Sequence, residues 1–192
     1  MADNNPGSEI RLTSSVQVQS RAGTAPDTQI ANGEKVAVYV DEAASSATQL
    51  YGNNVLTADG NGGFSGGTAM YFPASGNKVN IYAFHTNATL EKDFPTVSIE
   101  HSVAADQTGG YVSSDLLYAV REGVSRSTAA VDLTFYHLLA KVAVVLKPGA
   151  GMTANHLDGA VVTIESTYLK AGFKPKKVDL TNDQVRSDMV AR

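Results

Sequence analysis

Val131–Leu146, VDLTFYHLLAKVAVVL, is the longest apolar run in the chain, and the fold class turns on how it is read. Val131, Leu133 and Phe135 occupy odd positions, whereas Leu138, Ala140, Val142, Val144 and Leu146 occupy even ones. Alternation with a period of two marks a β-strand, and the flip of parity near His137 predicts a β-bulge that exchanges the inward face. A helical stripe through Phe135, Leu138, Leu139 and Val142 is the competing reading. The β-branched VAVVL segment weakens it, because such side chains lose rotamer freedom in a helix.

Upstream of this run, Leu116–Val120 reads as a strand, although DLLYAVRE would serve equally well in a helix. Val97, Ile99, His101 and Val103 alternate as another strand, followed by a polar loop over 104–114. Val79–His85 (VNIYAFH) and Lys35–Asp41 (KVAVYVD) are apolar on both faces, which predicts interior strands covered from both sides. Between them, residues 49–72 read as a meander of two or three short strands. Asp59–Gly60 and Gly62–Gly63 are hairpin signals there, since glycine tolerates positive φ.

Near the start, Ile10, Leu12, Val16 and Val18 share one parity while Arg11, Thr13, Gln17 and Gln19 take the other. That pattern predicts a half-buried strand over 9–20, with a loop rich in Gly, Pro, Asp and Asn behind it. Downstream of the apolar run, Pro148–Gly149 breaks the pattern. AVVTIEST (160–167) and FKPKKVDL (173–180) then predict two strands around a loop at Lys170–Gly172. Two strands cannot close a core alone, so they either join the preceding sheet or open a second unit. The expected organisation is a disordered segment 1–7, a β-sandwich domain 8–147 and the truncated start of a second β domain over 155–192.

Composition agrees with an all-β, mostly antiparallel sandwich. The 192 residues contain 21 Val, 5 Ile and 16 Thr against 13 Leu, and 17 Gly divide the β-branched segments. Hydrophobic residues at 43% and charged residues at 18% support a buried core. A net charge of −4, with no basic run longer than Lys174 to Lys177, leaves no footprint for nucleic acid. The absence of cysteine removes disulfide frameworks, thiolate metal sites and cysteine nucleophiles. No apolar window approaches the ~20 residues of a membrane helix.

The chemistry-bearing residues point away from catalysis. His85, His101, His137 and His156 are dispersed without metal-ligand spacing, and zinc needs three or four convergent ligands. His85 and His101 both end predicted strands, and hydrogen bonding is their expected role. His137 at the proposed bulge is expected to satisfy buried backbone groups. No G-x-S-x-G and no phosphate-binding loop is present; GNGGFSGG (60–67) lies among β turns and lacks a following helix. Asp41, Asp59 and Asn61 offer oxygen ligands, but their spacing matches no EF-hand. The reading is therefore no enzyme, no cofactor and no metal. Tyr51, Tyr71, Phe72, Tyr82 and Phe84 allow one competing function, an aromatic platform for sugar stacking on a monomeric, carbohydrate-binding surface lipoprotein.

Several of these segments, taken in order, resemble the fimbrillin family of pilus subunits from anaerobic diderm bacteria. They are Ser20–Arg21–Ala22 before the loop, the Gly33–Val40 strand, VNIYAF (79–84), DLLYA (115–119), and Leu133-x-Phe135-x-His137-x-Leu139-Ala140-Lys141-Val142. The resemblance implies tandem transthyretin-like β-sandwich domains, export as a lipoprotein precursor and a place in an outer-membrane fimbrium. The leader and lipidated cysteine are missing from this chain, and a trimmed or partial chain is expected. The resemblance further implies assembly with other pilin subunits, with host or bacterial surface ligands as further partners. An arginine-specific or trypsin-like protease would cut after the first strand, for which Arg21 is the matching residue. Ile10, Leu12, Val16 and Val18 would then be the side chains of a plug replaced by a neighbouring subunit's segment. Four such side chains, fully buried, correspond to about 6–12 kcal/mol of gross apolar driving force.

Overall fold

A computed structural model describes residues 8–17, 28–44, 48–94, 99–107, 111–140, 142, 144–165, 167–173 and 190–191. These residues form β1 (Leu12–Val16), β2 (Lys35–Glu42), β3 (Gln49–Ala58), β4 (Phe64–Ser65), β5 (Val79–His85), β6 (Ile99–Ser102), β7 (Leu117–Val124), β8 (Val131–His137), β9 (Lys170–Phe173) and β10 (Val190–Ala191). Two short 3₁₀ turns, Val112–Ser114 and Ala154–Leu157, complete the regular structure described. The protein is all-β.

One sheet has the order β1-β8-β7-β5-β2-β3-β4, and a smaller one the order β10-β9-β6. Its β1–β8 pair is parallel, and its other strand pairs are antiparallel. β2, β5 and β7 lie in the middle, and their two-faced apolarity follows from being covered twice. Val36, Val38 and Val40, Val79, Ile81 and Ala83, and Leu117 and Ala119 face an inner core that also holds Leu133 and Phe135. Tyr39, Tyr82, Phe84 and Tyr118 face the opposite way, into an aromatic cluster with Phe94 and Phe173. Phe84 stacks on Tyr118 with ring centroids 4.9 Å apart and meets Tyr39 edge-on at 6.0 Å. The large sheet curls around its inner core until β1 approaches the β3–β4 turn, where Ser14 N–H donates to the Gly62 carbonyl at 2.8 Å. The result is a sandwich close to a barrel.

Four expectations need correction. The strand expected to run through Leu146 ends at His137, so no bulge carries it onward. Among the described residues, Val16 with Phe135 is the last rung to β1, and Leu117 with His137 the last to β7. Leu138 N–H then donates to the Leu116 carbonyl, and Val142, Val144, Val145 and Leu146 are exposed. Residues 160–165 form no strand, and Val161 is 87% exposed. The expected loop at Lys170–Gly172 is instead part of β9, which pairs antiparallel with β6 and sends Phe173 into the aromatic cluster, 6.0 Å from Phe84. Finally, the meander expected over 49–72 is not built of short strands only, because its first strand, β3, runs from Gln49 to Ala58. Gly52 sits inside this ten-residue strand, opposite a register irregularity in β2, and a Cβ there would run into the Lys92 carbonyl. Residues 1–7, Val97 and 174–180, about which the sequence also made predictions, lie outside the described residues.

Candidate functional site

β1 terminates the large sheet. On one side it pairs with β8, placing Leu12 beside Val131, Ser14 beside Leu133 and Val16 beside Phe135. Parallel pairing is slightly less stable per residue than antiparallel. On the other side, among the described residues, no strand continues the ladder. Here single carbonyls from three separate loops accept from Ile10, just before the strand, and from two of its amides: Ile10 N–H to Met70 at 2.8 Å, Ser14 N–H to Gly62 at 2.8 Å and Val16 N–H to Thr28 at 3.0 Å. An isolated bridge between Glu9 and Tyr71 extends this contact.

The Gly62 carbonyl is held in place by its own turn. Asp59 accepts the Asn61 N–H at 2.7 Å and the Gly63 N–H at 2.9 Å on the same carboxylate oxygen. These bonds to the ionised form hold the Asp59 carboxyl below its ordinary range. Gly62 itself has φ +91°, in the left-handed region that a side chain would strain.

The predicted inward row is in place for the residues described. Ile10 is 4% exposed and Val16 6%, both in the inner core, with Leu12 half-buried against it. Val18 and Arg21 lie outside the described residues. The sequence reading omitted one member of the row. Ser14 is 5% exposed and faces inward between Leu12 and Val16, as its even number required. Parity was the signal, and polarity obscured it. Two fully buried aliphatics among the described residues, Ile10 and Val16, correspond to about 3–6 kcal/mol of gross apolar burial.

At the C-terminal end of β1 a pocket of about 450 Å³ opens, lined by Val16, Ile30, Glu34, His85, Asp115 and His137 among others. His137 Nδ1 lies 2.9 Å from Asp115 Oδ2, so this histidine pairs with a carboxylate, where a backbone partner was expected. His85 Nδ1 lies 2.9 Å from the Lys35 carbonyl, with Nε2 3.7 Å from Glu34 Oε2. His101 is fully buried, bonded to Thr86 Oγ1 at 2.8 Å and to the Ser114 carbonyl at 3.0 Å, and burial pushes its pKa down. Among the described residues, no group of three or more His, Cys, Asp or Glu is arranged to hold a metal ion. The five aromatic residues do not share a face: Phe72 is in the inner core, Tyr82 and Phe84 are in the outer cluster, and the Tyr51 hydroxyl accepts the Tyr71 N–H.

The fimbrillin-like family model matches residues 20–191, nearly the whole chain. The chain belongs to the fimbrillin-like family. No curated protein and no solved structure matches it. Membership suggests a fimbrial subunit at the cell surface, structural rather than enzymatic, that associates with other pilin subunits. No helix among the described residues is long and apolar enough to cross a membrane. The match to this fimbrillin-like chain begins beyond β1, so the geometry of Ile10, Leu12, Ser14 and Val16 is information that the family model does not carry.

Proposed function

We propose that this fimbrillin-like protein is a subunit of a cell-surface pilus, or of a related surface adhesin, that polymerises by exchange of its leading strand. One observation carries the reading: among the described residues β1 is a terminal strand with one strand partner, seated by alternate side chains in the sheet's inner core. A trypsin-like or arginine-specific protease cuts after Arg21, and β1 loses its covalent tether. An extended segment of a neighbouring subunit then re-forms the main-chain bonds to β8 and refills the pockets of Ile10, Leu12 and Val16. The precursor is exported as a lipoprotein to the outer membrane.

The second β domain expected over 155–192 is, in this reading, packed against the first through β9, which pairs with β6 and places Phe173 in the aromatic cluster. The exposed apolar side chains of Val142, Val144, Val145, Val161, Val162 and Ile164 support a further covering surface, since a stretch this apolar normally has a partner. Limited digestion with a trypsin-like protease tests the function. An early, discrete cut after Arg21 followed by oligomers in size-exclusion chromatography is expected, and Arg21→Ala abolishes both. Survival of that bond while other loops are nicked contradicts the proposal.

A further inference from the structure

Resting on the strand-exchange reading, we propose that the groove beneath β1 selects its donor segment by size at one register position. The place now held by Ser14 accepts only a small side chain, between aliphatic residues two positions away on either side. The occupant is an extended segment of another pilin subunit with the pattern aliphatic-x-aliphatic-x-small-x-aliphatic, as displayed by Ile10, Leu12, Ser14 and Val16.

The restriction comes from both sides of the strand. Within the sheet, Ser14 lies beside Leu133, which is itself 1% exposed and fills the core at that level. Leu12 and Val16 flank Ser14 on the same face, with Val131 and Phe135 as their neighbours in β8. A large residue at the central position has to displace one of these packed side chains, and close-packed cores resist added volume. On the outer edge, the Gly62 backbone approaches so closely that a Cβ built on Gly62 would stand 2.8 Å from the Ser14 carbonyl oxygen. The strand therefore cannot shift outward to make room while its bond to Gly62 remains.

Size, and not the hydroxyl, is what the position requires. Ser14 Oγ has the Gly62 carbonyl as its acceptor at 3.5 Å, a long contact of little value, so alanine serves as well as serine. A strand with a fourth large aliphatic at this point would bury more apolar surface and still fit worse. This separates the inference from general hydrophobic capture, in which the more apolar donor binds more tightly.

The test uses the full chain with a sequence-specific protease site inserted after Arg21 and cut in the folded state, so that β1 is held only by non-covalent contacts. A fluorescent peptide of residues 8–18 is added in excess, alongside its Ser14→Ala and Ser14→Leu variants, and exchange is followed by fluorescence anisotropy. The native and Ser14→Ala peptides are expected to bind within about threefold of one another, and Ser14→Leu at least tenfold more weakly. Equal or tighter binding of Ser14→Leu overturns the size restriction and leaves strand exchange standing. Failure of all three peptides to enter, with the cut strand retained, overturns the exchange reading and this inference with it. The substitution is carried by the peptide, so the folding of the host chain does not enter the comparison.

Discussion

If β1 is a detachable unit, its release must be independent of the stability of the aromatic side of the sandwich, and Phe84→Ala examines this. Phe84 is fully buried at the centre of the outer cluster, touching Tyr39, Phe94, Tyr118 and Phe173. The β1 side chains pack in the other cluster, on the opposite face of the sheet. Truncating a buried phenylalanine costs about 3–5 kcal/mol, which raises global opening roughly a hundredfold to a few thousandfold. Native-state hydrogen exchange reads both events in one sample. The Ile81 and Ala83 amides, on the central strand β5, are expected to accelerate by the full factor. The amides of Ser14 and Val16, bonded to the Gly62 and Thr28 carbonyls, are expected to stay within about threefold of their original rates, because β1 opens by a local route of lower free energy. Acceleration of Ser14 and Val16 in step with Ile81 would show that β1 opens only when the whole sandwich does, and the reasoning would fail.

Three further outcomes are expected. Gly62→Ala, which places a Cβ against the Ser14 carbonyl at a backbone of φ +91°, should weaken the outer hold on β1 by about 1–3 kcal/mol. Exchange at the Ser14 amide should then rise about fivefold or more, and an unchanged rate would remove Gly62 from that role. Phe173→Ala should lower the unfolding free energy in urea by about 3–5 kcal/mol; no change would mean that β9 contributes nothing to the core described here. Burial holds His101 below its ordinary value of 6.5, so the folded state binds its proton less readily than the unfolded chain does. The stability it contributes is present above about pH 6.5 and is lost as the pH falls through that value. The urea midpoint should therefore drop from pH 7.5 to pH 5, and His101→Gln should flatten part of that slope; an identical slope in the variant would contradict this assignment.

Much of this architecture is written locally in the chain. β2 and β5 are legible because their sequences are apolar at every parity, a pattern that fits only strands covered on both sides. β1 is legible through alternation, which also places Ser14 correctly once polarity is set aside. What escapes the sequence depends on partners distant along the chain. VAVVL has the composition of a strand, but among the described residues β8 ends at His137, level with its last rung to β7 and two residues beyond its last rung to β1 at Phe135. Lys170–Phe173 looks like a loop from its composition, yet β6 gives it a ladder and the aromatic cluster gives Phe173 a site. Alternation cannot distinguish parallel from antiparallel pairing, so the β1–β8 orientation is invisible to it. The bonds from β1 to Met70, Gly62 and Thr28 are likewise a product of the sheet's curl, which brings its two ends together.

The central claim is that β1 must leave for subunits to join, and a reversible lock tests it most directly. Ser15 and Thr134 are sheet neighbours across β1 and β8, and the chain has no cysteine of its own. The spacing of adjacent strands lies within the range that a disulfide spans. The Ser15→Cys/Thr134→Cys double variant, cleaved after Arg21, should stay monomeric when oxidised and polymerise once reduced. Polymerisation of the oxidised form to the extent of the reduced one would contradict the account.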